Sequence, residues 1–300
     1  MKKGFSLIET LILIFIGISI LILIIGVISN SREFSKTLGC VNNMKNIVQA
    51  IEGFQVDWKE TPVTLSSLIP AYIQNPNVLH CPSDREKGDS YSKFYIGRFF
   101  AEENSNKAFL ICPRHFKGRR TVVAYLSYSV DIGKTKQVKW SEINSEPGKT
   151  YNGGNLKFED GTEVKNISGE VGVLGSFTNQ DNKIYSIIYI PEGSDTKFEV
   201  DHKGNTMFEV ITPAVIAGVE GTKFTVENEY FVDAGLPQDR TIIKINEGIV
   251  KVEERNQGRI EEVKQNESIE IRTKTYEKVE KGVPRKPPKV KPHIIIRPKN

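Results

Sequence analysis

The fold of this 300-residue chain is decided at its N-terminus, where residues 1–34 read MKKGFSLIETLILIFIGISILILIIGVISNSREF. Residues 7–28 form an apolar run of 22 residues with a single charge, Glu9. As a helix this run would extend about 33 Å, enough to cover a hydrocarbon core of roughly 30 Å. It therefore predicts one membrane-spanning helix, with the remainder of the chain outside the bilayer. Lys2 and Lys3 precede the run and favour a cytoplasmic N-terminus.

Glu9 is the unusual feature of this run. A carboxylate within a bilayer helix costs about 2.5–3.5 kcal/mol on insertion scales unless a cation pairs with it. A secretory signal peptide would have a shorter apolar region followed by a small-residue cleavage site, and no A-x-A follows here. A simple signal anchor accounts for the length of the run but leaves Glu9 unexplained.

The order Lys-Lys-Gly4-Phe5, with Glu9 four residues later and a long apolar helix, closely resembles the class III signal of type IV prepilins and type II secretion pseudopilins. In that family a prepilin peptidase cuts after the glycine and methylates the new N-terminal phenylalanine. The resemblance implies a leader over residues 1–4 and processing at Gly4 and Phe5. It also implies an assembly role for Glu9, whose carboxylate would pair with the Phe5 amine of a neighbouring subunit and offset the desolvation of both groups.

A second apolar pattern continues beyond the membrane run. Its members recur at spacings of three and four residues, which predicts an amphipathic helix extending to about Trp58, with Pro62 beyond it as a stop. Pilin-like subunits share this design of a long helix half in the membrane and half packed on a β-sheet. The apolar positions are Phe34, Leu38, Val41, Met44, Val48, Ile51 and Phe54.

Each of the three cysteines lies in a short distinct segment: CVNNMK from residue 40, LHCPSD from residue 79 and ICPRH from residue 111. The first two segments resemble those of pseudopilin-like proteins of planctomycetes and related bacteria. Outside the cytoplasm a disulfide is permitted, and Cys81 with Cys112 is favoured over Cys40 with Cys81. That bond would close a loop of about 31 residues and stabilise the fold by about 3–4 kcal/mol.

Two alternatives to the disulfide remain open. His80, Cys81, Cys112 and His115 make a four-ligand set for zinc, although adjacent His80 and Cys81 suit a tetrahedral site poorly. The cysteines could also stay reduced and pack as small apolar side chains. No metal and no cofactor is predicted.

Residues 59–150 are predicted to form a small pilin-like globular region, with a short helix or turn over 65–72 and a strand over 121–130. A glycine- and asparagine-rich segment near residue 150 marks the best internal boundary. Residues 153–161, GGNLKFEDG, also resemble the closing strand of pseudopilins, which would extend the pilin-like part to about residue 165. Residues 151–274 then show period-two alternation with frequent turns, which predicts short, half-buried strands.

Residues 208–226, FEVITPAVIAGVEGTKFTV, and 245–252, INEGIVKV, resemble the core of the FecR domain. The resemblance implies an all-β domain, solenoid- or sandwich-like, in which Gly221 and Gly248 are turn glycines. Glu220 stands where arginine is usual in that family, which places any partner-binding role in doubt. FecR-type proteins are periplasmic sensors that control a sigma factor through a cytosolic segment, and six residues before the apolar run are expected to leave no room for one.

The net charge of +4 is concentrated at the C-terminus. The last twenty residues carry seven basic side chains and no acid, so the remainder of the chain sums to −3 and predicts no nucleic-acid partner. The tail over 275–300 is basic and rich in proline, which predicts an extended segment. No motif of a known catalytic constellation is present, and the chain is predicted not to be an enzyme.

The predicted fold class is α+β, with a long N-terminal helix, a small α/β region and an all-β domain. The predicted function is a pilin-like or pseudopilin-like subunit in the bacterial inner membrane that carries an extracytoplasmic β domain. Its expected partners are the prepilin peptidase and methylase, other pilin-like subunits, the membrane, and an unidentified ligand of the β domain. The alternative is a single-pass, membrane-anchored binding or signalling protein that keeps its leader.

Overall fold

The structure is a computed structural model of the whole chain. It describes residues 7–59, 61–62, 64–85, 88–98, 106–141, 143–204, 206–219, 221–233, 236–255, 259–273 and 295–298.

Helix α1 runs without interruption over Leu7–Trp58, as its two apolar patterns predict. Its N-terminal half has a mean hydropathy of 3.4 over the most apolar 18 residues, none of which is buried against the rest of the protein. Among the described residues this is the one helix long and apolar enough to cross a membrane. The side chains of Leu7–Ile28 that the structure describes are almost all exposed, so protein contacts leave this half of the helix free for another apolar medium.

The C-terminal half of α1 packs on a small antiparallel sheet. This sheet has three strands, β1 (Ala108–Cys112), β2 (Arg120–Tyr125) and β3 (Val130–Lys134), paired in that order. Met44, Ile47 and Ile51 of α1 are fully buried against it in one apolar cluster. Short 3-10 helices at Leu65–Leu68 and Pro76–Leu79 close the same cluster. The small region is therefore built around the helix.

Two details of this region differ from the sequence prediction. Phe34 and Leu38 lie on the predicted apolar face but remain exposed. Phe34 contacts the small sheet through the Arg120 guanidinium that lies over its ring. The single strand expected over 121–130 is two strands, separated by a turn in which Tyr128 has a positive φ of 62°.

The rest of the described chain forms one large sheet. Its strands are β4 (Val138–Trp140), β5 (Ile143–Asn144), β6 (Thr150–Phe158), β7 (Glu163–Thr178), β8 (Ile184–Tyr189), β9 (Thr196–Asp201), β10 (Met207–Ile211), β11 (Val215–Val219), β12 (Lys223–Asp233), β13 (Leu236–Glu247), β14 (Ile249–Glu254), β15 (Ile260–Lys264), β16 (Glu267–Arg272) and β17 (Ile295–Pro298). The main path runs β15-β14-β11-β10-β8-β7-β9-β12-β13-β16-β17, with β4, β5 and β6 joined at β7. All pairs are antiparallel except β8 with β10.

The sheet folds over its own apolar face and is nearly barrel-shaped. Strands β15 and β16 stand near opposite ends of the path yet are joined by a two-residue turn at 265–266, which brings those ends together. Alternating residues such as Phe224, Val226 and Val252 point into the enclosed core. Gly248 has a φ of 83° in the tight turn between β13 and β14, as predicted for a turn glycine.

The large sheet begins at β4, twelve residues before the boundary predicted near residue 150. A third apolar cluster joins it to the small sheet, so the two regions share a core. Its members are Phe94, Ile96, Ala108, Ile111, Val123 and Tyr125 from the small region and Leu174, Phe177, Tyr185, Ile187, Ile211 and Ile216 from the large sheet. At the other end of the sheet, β17 lies within the predicted extended tail and pairs with β16.

Candidate functional site

In the described part of the chain, one buried cluster of side chains could hold a metal ion: Cys40, Cys81, Cys112 and His115, called here the Cys/His cluster. One sulfur or ring nitrogen from each lies within 4.8 Å of all the others. The three cysteines have no exposed surface and His115 is 3% exposed. Thiol sulfur and imidazole nitrogen are the atom types that bind soft metals, and neighbouring thiols can also oxidise to a disulfide.

Separate elements bring these residues together. Cys40 lies on the buried face of α1, one turn before Met44. Cys81 follows the 3-10 helix at Pro76–Leu79, and Cys112 is the last residue of β1. His115 is in the 3-10 helix that begins at Pro113, directly after that strand. The cluster therefore forms only when α1 is packed on the small sheet.

Hydrogen bonds fix the orientation of the cluster. The His115 Nδ1 atom lies 3.2 Å from the Thr37 hydroxyl and 3.1 Å from the Ser83 hydroxyl, while its Nε2 atom lies 3.5 Å from the Cys81 sulfur. The Cys112 thiol donates to Cys81 Sγ at 3.6 Å, and the Tyr91 hydroxyl donates to Cys40 Sγ at 3.2 Å.

The three thiols differ in acidity. Hydrogen bonds from Cys112 and Cys40 lower the pKa of the Cys81 thiol, outweighing the effect of its burial. Burial raises the pKa of both the Cys40 and the Cys112 thiol. The lowered pKa of Cys81 favours its thiolate, the form in which cysteine binds a metal.

The structure brings together three of the four predicted cysteine and histidine ligands, Cys81, Cys112 and His115, but not His80. It brings Cys81 and Cys112 into contact, as free thiols, and the disulfide stays a prediction. The four-ligand set with His80 does not form: the His80 Nδ1 atom lies 2.9 Å from the carbonyl oxygen of Gly88, and Cys40 takes its place in the cluster. The reason is the packing of α1, which local spacing does not reveal.

The predicted processing and assembly residues fall at the start of the chain. Gly4 and Phe5 lie outside the described residues. Glu9 lies within α1, but its side chain is outside what the structure describes.

A second buried polar group was not predicted from sequence. Arg98, fully buried, donates from Nη2 to Glu209 Oε2 at 2.7 Å, and its Nη1 lies 3.5 Å from Glu253 Oε2. Lys107 Nζ lies 3.7 Å from the same Glu253 oxygen, and the Tyr185 hydroxyl donates to Glu209. Arg98 and Lys107 belong to the small region while both glutamates belong to the large sheet, so we call this group the ionic joint.

Opposing effects act on the ionic joint. Burial alone would lower the pKa of Arg98, but the charges of Glu209 and Glu253 raise it, so the guanidinium stays charged. Burial raises the pKa of Glu253 despite the nearby Arg98 and Lys107 cations. The sequence carried a signal for only one of the two acids, because Glu209 stands among apolar residues in β10 whereas Glu253 lies in a strand with three charged residues.

The chain was compared with family models, curated proteins and solved structures. No family model matches the chain, and no curated protein matches it. Two crystal structures of a "putative anti-sigma factor" from Parabacteroides distasonis ATCC 8503 align with part of it. One is 14% identical with a TM-score of 0.34, and the other is 16% identical with a TM-score of 0.35. Each alignment covers 51% of this chain and 60% of that chain.

Proposed function

We propose that this chain is a single-pass, membrane-anchored binding protein that presents its β domain outside the cytoplasm. The observation that carries this proposal is the division of α1. One continuous helix has an exposed apolar half over Leu7–Ile28 and a half buried in the small region. A helix with unpartnered apolar side chains all round is suited to a bilayer rather than to water.

The same division supports a rigid attachment of the β domain to its anchor. Met44, Ile47 and Ile51 fix α1 to the small sheet, and the shared apolar cluster and the ionic joint fix the small sheet to the large one. Residues 37–58 continue the membrane half of α1 as the same helix and pack directly on the small region. A ligand bound by the β domain would therefore be held at a set orientation to the membrane. The chain has a binding or signalling role in this proposal, with no catalysis assigned to it.

Paired aspartates in the apolar half of α1 test the anchor. The double variant Ile18→Asp, Leu21→Asp places two charges near the centre of the run, at about 2.5–3.5 kcal/mol each. We expect the intact chain to stay in the membrane pellet after alkaline carbonate extraction and the variant to lose most of that retention. The matched control, Val56→Asp with Val232→Asp, changes two equally apolar positions that are 61% exposed outside the run. Equal retention of both variants would contradict the anchor.

A pilin-like subunit is the second candidate, and one observation favours it. The C-terminal half of α1 packs along a small antiparallel sheet, which is the arrangement that the resemblance at Gly4, Phe5 and Glu9 implies. The two candidates differ in the mature N-terminus. Mass spectrometry of the protein extracted from native membranes is expected to find Met1 intact for a simple anchor. A chain beginning at N-methyl-Phe5 would instead establish processing by a prepilin peptidase and favour assembly.

A further inference from the structure

The Cys/His cluster has a geometry that neither the anchor nor the β domain requires. We propose that Cys40, Cys81, Cys112 and His115 bind one zinc ion in a closed, structural site. The four ligands would complete a tetrahedral shell and leave no open position for substrate or water. This site would join α1 to β1 and to the segment that contains Cys81.

Two of the six distances between ligand atoms match such a shell, and the other four are at most 4.8 Å. Zinc–sulfur bonds of about 2.3 Å and zinc–nitrogen bonds of about 2.0–2.1 Å, at tetrahedral angles, separate two sulfurs by about 3.8 Å and a sulfur from a nitrogen by about 3.6 Å. The sulfurs of Cys81 and Cys112 lie 3.6 Å apart, and Cys81 Sγ lies 3.5 Å from His115 Nε2. A disulfide would need the two sulfurs at about 2.05 Å, so both would have to move toward each other.

The groups around the cluster are those that support metal ligands. The hydroxyls of Thr37 and Ser83 hold His115 Nδ1, which aims Nε2 at the sulfurs. The Tyr91 hydroxyl donates to Cys40 Sγ at 3.2 Å. Such a donor stabilises the negative charge that three thiolates retain on zinc.

Binding has a defined proton balance. Zinc displaces one proton from each of the three thiols and takes a lone pair from the neutral imidazole, so up to three protons are released and no oxidant or reductant is required. Zinc neutralises two of the three thiolate charges, so the site carries one net negative charge. Without the ion, each buried thiolate would be costly.

The test uses the full chain in detergent, purified under reducing conditions without chelators. Elemental analysis is expected to find about one zinc per chain. Cobalt substituted for zinc should give sulfur-to-cobalt charge-transfer absorption, and Cys40→Ser should reduce its intensity by about one third because one of the three thiolates is lost. His80→Ala is the matched control: His80 adjoins Cys81 but faces Gly88, and this variant should keep both stoichiometry and intensity.

Three results would overturn the proposal. The first is a reduced chain with three free thiols that binds neither zinc nor cobalt. The second comes from a separate preparation, isolated and denatured without reductant: a chain that titrates as one free thiol because Cys81 and Cys112 are oxidised. The third is a cobalt spectrum unchanged by Cys40→Ser but lost in His80→Ala. The unsubstituted chain alone decides the first two results, so a variant that fails to fold does not prevent the test.

Discussion

Replacing Arg98 with methionine is expected to lower the free energy of unfolding by about 3–5 kcal/mol, among the largest effects of any single change in this chain. Methionine keeps most of the buried volume but removes the cation between Glu209 and Glu253, which are 2% exposed. Lys107 offsets the two charges only in part, because its nitrogen lies 4.0 Å from Glu209 and 3.7 Å from Glu253. Chemical denaturation of the full chain in detergent measures the loss.

The stability lost in Arg98→Met, measured as the deficit in free energy of unfolding, should become smaller as pH falls. Burial already raises the pKa of Glu253, and Arg98 opposes that rise, so without the arginine this pKa lies further above the unfolded value and the folded state binds more protons than the unfolded state. The free energy of unfolding therefore increases as pH falls, and the deficit relative to the unsubstituted chain should shrink from about pH 7 to about pH 5.

Arg240→Met is the matched control for the ionic joint. Arg240 also contacts two glutamates, Glu229 and Glu270, but its side chain is 32% exposed. Solvent screens that pair, so its loss should cost at most about 1 kcal/mol with little dependence on pH. Equal losses from Arg98→Met and Arg240→Met would show that the buried joint contributes no more than a surface pair.

The second large effect is expected where α1 meets the small sheet. Ile51→Ala removes three methyl or methylene groups from a fully buried position and should cost about 2–5 kcal/mol through lost burial and the cavity that remains. Trp58, on the last turn of α1, stacks near Phe54 and provides a fluorescence signal for the release of the helix. Val56→Ala, at a 61% exposed position on the same helix, should change stability by less than about 0.5 kcal/mol. A comparable loss in both variants would contradict the packing of α1 on the sheet.

The long helix and the β domain could be predicted because their signals are local. The apolar run and the three- and four-residue spacing correctly predicted the extent of α1 to Trp58. Alternation around Phe224 and Val250 correctly predicted strands in β12 and β14. A twofold or 3.6-fold period lies within a few neighbouring residues, so sequence alone reveals it.

The sites depended on contacts between distant residues and were harder to predict. Cys40 meets Cys81 and Cys112 only after α1 has packed on the small sheet, so the zinc alternative was assigned His80 in place of Cys40. Arg98 and Glu209 are separated by 111 positions, and no local pattern relates them. The predicted strand over 121–130 missed the turn at Tyr128 because Leu126 and Tyr128, alternating with serines, continue a strand-like pattern through the turn.

Protease accessibility of the chain in spheroplasts tests most directly whether α1 holds the β domain on the outer side of a membrane. We expect external protease to digest the β domain while the spheroplasts remain intact, with a cytoplasmic marker protein protected in the same sample. The chain should also sediment with the membranes before digestion. A β domain that resists protease until the spheroplasts are lysed, and is then digested, would contradict this topology.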